Sequence, residues 1–233
     1  MAVPVQLAYF SDVLCVWAYV SQIRLTELKE QLGDEITIRQ HFINVFGNTD
    51  KRIGQGWQGR GGYAGYGDHV VEVCRSFPHV EINPDAWKVC RPASSAMGHL
   101  FLKAALLLEQ NGLISGEPVA GYDDRTVFEE LIWRVRCAFF EEARNIGQLA
   151  VLLEIAETMR LPVDELMEQI NNGAAMAALC DDFEKKESCR LEGSPTYLLN
   201  DGRQKLYGNV GYRIVEANVL ELLESPKGQA SWC

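Results

Sequence analysis

The stretch "QLAYFSDVLCVWAYVSQIRLTEL", residues 6–28, decides how the chain is read. An apolar run that reads as a strand meets the start of a helix, and Cys15 sits at the junction. Three residues later, where a dithiol motif would carry its second cysteine, stands Ala18. A residue just after a strand and at the first turn of a helix sees backbone N–H groups without intrahelical partners and the positive end of the helix dipole. Both favour thiolate over thiol, so position alone makes Cys15 a candidate nucleophile. The competing reading is a small buried hydrophobe, because free cysteine is among the most buried residue types.

Outward from this junction the chain organises simply. Residues 3–10, "VPVQLAYF", alternate weakly and predict a strand. From Trp17 to Leu32, the apolar positions Trp17, Val20, Ile23, Leu25, Leu28 and Leu32 fall near helical spacing, and Gly33 ends the helix. Residues 35–46, "EITIRQHFINVF", alternate again and predict a second strand. Strand, helix and strand in succession imply a βαβ unit with a parallel pair. Residues 47–68 hold eight glycines and are expected to be irregular, a mobile lid or substrate contact with Trp57, Tyr63 and Tyr66 lining an apolar pocket.

Helical patterns then predict segments at 68–76, 92–111, 123–140, 145–159, 162–170 and 173–188. "PTYLLN" (195–200) and "QKLYGN" (204–209) flank "DGR", a hairpin signal, and a final helix is expected over 211–224. The implied architecture is α/β: a discontinuous domain of 1–62 and 189–233 bracketing an inserted helical domain, 63–188.

A second motif lies far from the first. In "LEGSPTYLL", residues 191–199, Gly-X-Pro-Thr runs directly into a strand, although proline removes a ladder donor. One solution is a cis X-Pro bond in a tight turn, leaving backbone groups of Ser194 and Thr196 free for an extended substrate. The other is a trans proline at the first residue of the strand.

Composition narrows the function. The 233 residues are 47% hydrophobic and 23% charged, with a net charge of −10. That balance argues against general binding to nucleic acid or anionic membrane, which needs clustered cations. Neither a run of 18 apolar residues nor a basic region followed by an apolar core is present, so cytoplasm is the expected location. The seven cysteines (15, 74, 90, 137, 180, 189 and 233) include no C-x-x-C pair and are expected to be free thiols. Cys74, Cys90, Cys137 and Cys180 read as core; Cys189 is the best candidate to resolve Cys15, but it reads first as a cysteine buried at a helix end. Histidines 41, 69, 79 and 99 lack ligand spacing, so no metal is expected. His99 reads as a helix histidine that could face the pocket. "GQGWQG" (54–59) fits a dinucleotide pattern but is followed by further glycines rather than a helix opening on apolar spacing.

Together, "SDVLCVWAYV", "GSPTYLL" and "YGNVGY" resemble the thioredoxin superfamily, in the branch of DsbA-like oxidoreductases that includes kappa-class glutathione transferases and 2-hydroxychromene-2-carboxylate isomerase. The resemblance spans about residues 5–224 and implies a thioredoxin-like fold (βαβ…ββα) with a large helical insertion. It makes Cys15 the attacking cysteine, Trp17 the aromatic beside it and Pro195 the cis-proline that faces the thiol. Val16 departs from the family's proline or histidine, and Ala18 from its resolving cysteine. What is implied is monothiol chemistry at Cys15 on a glutathione-linked or other small disulfide, with no bound cofactor and glutathione as co-substrate. A glutathione-dependent transferase or isomerase comes second, with Ser11 and Ser21 as loose matches to its hydroxyl residue. An inactive fold that binds peptide comes third. The oligomeric state stays open, a dimer included.

Overall fold

The computed structural model describes residues 4–223. Strand β1 (Val5–Ser11) leads into helix α1 (Val16–Leu32), and β2 (Ile36–Phe42) returns parallel to β1, with Val5 opposite Ile36 and Ser11 opposite Phe42. Strands β3 (Thr196–Leu199) and β4 (Gln204–Tyr207) form the hairpin, and β3 lies antiparallel to β1. The sheet order is β2-β1-β3-β4. Between its halves run α2 (Gly62–Arg75), α3 (Ala96–Gln110), α4 (Val127–Phe140), α5 (Leu149–Thr158), α6 (Val163–Asn171) and α7 (Ala174–Ser188); α8 (Tyr212–Leu223) closes the described chain. This is a thioredoxin-like α/β fold with a helical insertion.

Alternation along β1 sorts the layers. Val5, Leu7 and Tyr9 face Leu25 and Leu28 of α1 and Val215 and Val219 of α8. Phe10 faces the other way, onto Ile43, Leu191 and Leu198. The helical block has a larger core of its own, which reaches α1 through Val16, Ala18, Tyr19 and Val20. Residue Cys15 and its neighbours therefore sit where sheet and block meet. Helix α4 starts with a complete capping box between Thr126 and Glu129, so its register is fixed at the first turn.

The glycine-rich segment departs from expectation. It is largely helical: a π-helical turn spans Asp50–Gln55, and α2 begins at Gly62, six residues ahead of the predicted start at 68. The glycines serve close approach rather than disorder. A Cβ on Gly65 would lie 1.8 Å from the Arg60 carbonyl oxygen, and Gly61 caps α2 at φ +89°. Trp57, Tyr63 and Tyr66 join an aromatic cluster with Phe46 and the fully buried Trp87, so much of this segment is packed. Cys180 is another correction: it is exposed, because it lies on the outer side of α7, while Cys90 is half-buried and Cys74 and Cys137 are buried. Cys233 and the end of the final predicted helix lie outside the described residues.

One polar knot joins block to sheet. Asp182 of α7 accepts from the Phe42 backbone N–H at 2.7 Å, pairs with Lys103 of α3 at 2.7 Å and meets His41 of β2 at 2.6 Å. Lys103 and Asp182 are almost wholly buried, so Lys103 would be an uncompensated charge without Asp182. Asp182→Ala is expected to lower stability by about 3–5 kcal/mol in urea unfolding, the cost typical of stranding one partner of a buried pair. A loss below about 1 kcal/mol, as for a surface pair, would show that the knot does not hold the two parts together.

Candidate active site

Four residues turn β1 into α1. The Cys15 N–H donates to the Asp12 carbonyl at 3.0 Å, and Cys15 is the N-cap of α1 with extended backbone (φ −85°, ψ 114°). Across the junction the Ser194–Pro195 peptide bond is cis. The Cys15 thiol donates to the Ser194 carbonyl oxygen at 3.3 Å, and the Ser194 hydroxyl accepts from the Asp12 N–H at 2.9 Å. The two motifs, 179 residues apart in sequence, are therefore one site.

Of the residues singled out from sequence, Cys15, Ser194 and Pro195 come together and are buried, Cys15 at 5% exposure. Trp17 is half-buried and meets the edge of Phe77 at 6.5 Å between ring centroids. The Thr196 hydroxyl is fully buried and donates to the Gly193 carbonyl at 2.6 Å, so its side chain shapes the loop from inside. Ser11 and Ser21 are also buried and engaged, with Arg136 and Tyr9 respectively. Cys189 caps the end of α7 and packs with Phe10, Ile43 and Leu191. Position 18 is a fully buried alanine.

Sequence reasoning assigned no role to Asp12, the centre of the polar network here. The side chain is fully buried. It accepts from the Leu14 N–H at 2.9 Å, the Phe46 N–H at 2.7 Å and the Ser95 hydroxyl at 2.8 Å. His99 of α3, also fully buried, accepts from the Val13 N–H at Nε2 and lies 3.6 Å from the Asp12 carboxylate. It faces the turn that carries Cys15. The signal in sequence was only the aspartate three residues before Cys15; its partners come from positions 46 and 95.

The electrostatics of Cys15 differ from the expectation drawn from the helix start. Burial pushes the thiol above its ordinary range. Hydrogen bonding from Ser194 and from the Ala18 and Trp17 backbone N–H groups pulls the other way, and the Asp12 charge adds to the rise. The N–H groups of α1 do reach the sulfur, but they do not repay its removal from water. Tyr66 of α2 is likewise held protonated, first by burial and then by the charge of Cys15.

A cleft of about 1180 Å³ lies elsewhere, along β2 and the facing helices, lined by Lys29, His41, Lys103, Arg125 and Glu129 among others. None of Cys15, Trp17, Ser194, Pro195 or Thr196 lines it. Among the described residues no cluster suited to a metal ion occurs, and no helix is long and apolar enough to cross a membrane.

Fold and junction together define a thioredoxin-fold protein of DsbA-like architecture. The solved structures that the chain resembles carry the same fold. A protein from Streptomyces coelicolor described as a probable DsbA oxidoreductase superposes with a TM-score of 0.68 at 15% identity, over 96% of this chain and 93% of its own. The cytosolic disulfide reductase DsbM from Pseudomonas aeruginosa gives 0.65 at 20% identity, over 93% and 99%. The 2-hydroxychromene-2-carboxylate isomerase gives 0.57 at 14%, over 93% and 95%. No family model and no curated protein matches the chain.

Alkylation of Cys15 followed against pH, with peptide-resolved mass spectrometry to separate it from the other cysteines, is expected to show a midpoint above the free-cysteine value of about 8.5. A midpoint below it would mean that the helix start outweighs burial.

Proposed function

We propose that this protein is a thiol–disulfide oxidoreductase that works through one thiol, Cys15, on glutathione-linked or other small disulfides in the cytoplasm. The observation that carries the reading is the meeting of the Cys15 sulfur with the Ser194 carbonyl beside Pro195, while alanine occupies position 18. A disulfide laid along this loop would bring one sulfur to Cys15.

The chemistry balances with one further reactant. The Cys15 thiolate attacks a mixed disulfide R–S–S–G; a Cys15–S–S–G bond forms, the old S–S bond breaks, and R–S⁻ leaves and takes up a proton. A second small thiol, here glutathione, then attacks the Cys15-linked sulfur, releasing oxidised glutathione and restoring Cys15. With Ala18 in place the protein has no thiol at the usual position to do this itself. Burial slows the first step without forbidding it. Each unit of upward shift removes about tenfold of the thiolate but makes the remainder about threefold more nucleophilic, a net loss of about threefold. A compartment rich in reduced thiols suits such a cycle. DsbM is described as cytosolic and has also been solved with glutathione.

A second reading draws on the thiol's role as a donor in a buried site. There Cys15 would orient glutathione for transfer to, or isomerisation of, an organic substrate, the activity class of the isomerase with the same fold.

Glutathione-dependent reduction of a small mixed disulfide is expected to fall by at least about a hundredfold in Cys15→Ala, because the group that forms the covalent intermediate is removed. Turnover that persists in this variant would overturn the oxidoreductase reading. Saturable glutathione binding that survives Cys15→Ser, with organic-substrate turnover retained, would favour the second. Binding of extended peptide with no turnover before or after substitution would mark an inactive fold.

A further inference from the structure

Arginine 136, in the middle of α4, is 1% exposed and has no carboxylate within ion-pair distance among the described residues. Its neighbours behave otherwise: Arg134 of the same helix and Arg125 just ahead of it both pair with Glu130. The Arg136 guanidinium donates through Nη2 to the Ser11 hydroxyl at 2.9 Å and through Nη1 to Gln22 Oε1, both neutral, and its Nε has no partner. A buried cation with neutral partners is costly, because neutral dipoles replace only part of its hydration. Folding alone would be served as well by an apolar side chain of similar volume.

Its position suggests a purpose. Ser11 ends β1, four residues before Cys15, and Gln22 lies two turns into the helix that Cys15 caps. The guanidinium is thus clamped beneath the β1–α1 turn. Burial lowers its proton affinity, while the charges of Tyr9 first, then Cys15 and Asp12, raise it. The other ionisable groups around Cys15 would add negative charge or none: Asp12 on its own turn, Tyr9 on β1 and Tyr66 on α2. His99 of α3 is occupied with Val13.

Resting on the reading of Cys15 as a sulfur nucleophile, we propose that Arg136 is a positioning residue for it: the buried guanidinium, held by Ser11 and Gln22, is the counter-charge for negative charge on the Cys15 sulfur. The inserted helical block then contributes to the thiol chemistry through α4. Any movement of α4 against α1 would alter the reactivity of Cys15 without touching it.

The test is the pH profile of Cys15 alkylation by iodoacetamide in the full chain, read by peptide-resolved mass spectrometry. Arg136→Met is expected to move the midpoint upward, slowing alkylation at neutral pH by about threefold for each unit moved, and Arg136→Lys to restore most of the wild-type profile. Gln22→Glu keeps the size of the side chain and sets a carboxylate against Arg136. It is expected to shift the midpoint in the same direction, and it serves where Arg136→Met does not fold. A midpoint that stays at the wild-type value in either folded variant overturns the proposal, as does an equal shift in Arg136→Lys and Arg136→Met, which would mark a purely structural role. Failure of the oxidoreductase reading shows separately, as turnover that survives Cys15→Ala.

Discussion

The Asp12 carboxylate accepts three hydrogen bonds from three separate parts of the chain: the β1–α1 turn at Leu14, the segment after β2 at Phe46, and the start of α3 at Ser95. Its own backbone N–H reaches the Ser194 hydroxyl in the loop ahead of β3. Dehydrating a carboxylate costs several kcal/mol, and hydrogen bonds to a charged group return roughly 1.5–3 kcal/mol each. Three such bonds offset the burial only if all three donors are in place. The carboxylate therefore makes the turn, the Ser194 loop and the helical block depend on one another. Each of them supplies a wall of the space around Cys15.

The consequence for the sulfur is a balance between opposing charges. Asp12 organises the turn but disfavours a thiolate there, and burial disfavours it more. On the other side stand the N–H groups of α1 and the Ser194 loop, together with Arg136 in the role proposed for it. In the resting protein the sulfur keeps its proton and shares it with the Ser194 carbonyl. A substrate that takes over that carbonyl would leave the thiol without its acceptor, at the place where α1 and Arg136 best tolerate a negative charge. Reactivity would then follow occupancy of the loop, a useful property for a thiol with no resolving partner at position 18.

How much of this could be read from sequence depended on distance along the chain. The βαβ and ββα halves were legible because each rests on local periodicity and on turn residues such as Gly33 and Asp201-Gly202. The helices of the insert were found within a few residues for the same reason. In the glycine-rich segment the glycine count points to irregular backbone, and the structure is largely helical there instead. Its glycines permit close backbone approach, as at Gly65, while Trp57, Tyr63 and Tyr66 provide buried area around Trp87 that lay outside any local window. Cys180 was misplaced because helical spacing alone does not say which side of α7 meets a neighbour.

The residues that set the character of the site were the least legible. Asp12 stood beside Cys15 but its partners lie 34 and 83 residues away. Arg136 is 121 residues beyond Cys15, inside "WRVRCAFF", where two arginines two positions apart look alike. Only packing separates them: Arg134 turns outward to Glu130, and Arg136 turns inward to Ser11 and Gln22. One amphipathic helix thus places, within two residues, a half-exposed arginine paired with a buried carboxylate and a buried arginine paired with none among the described residues. Helical periodicity predicts that one of the two should be apolar, and the buried guanidinium is where that rule fails. Such local failures, kept by the rest of the fold, are where function is expected.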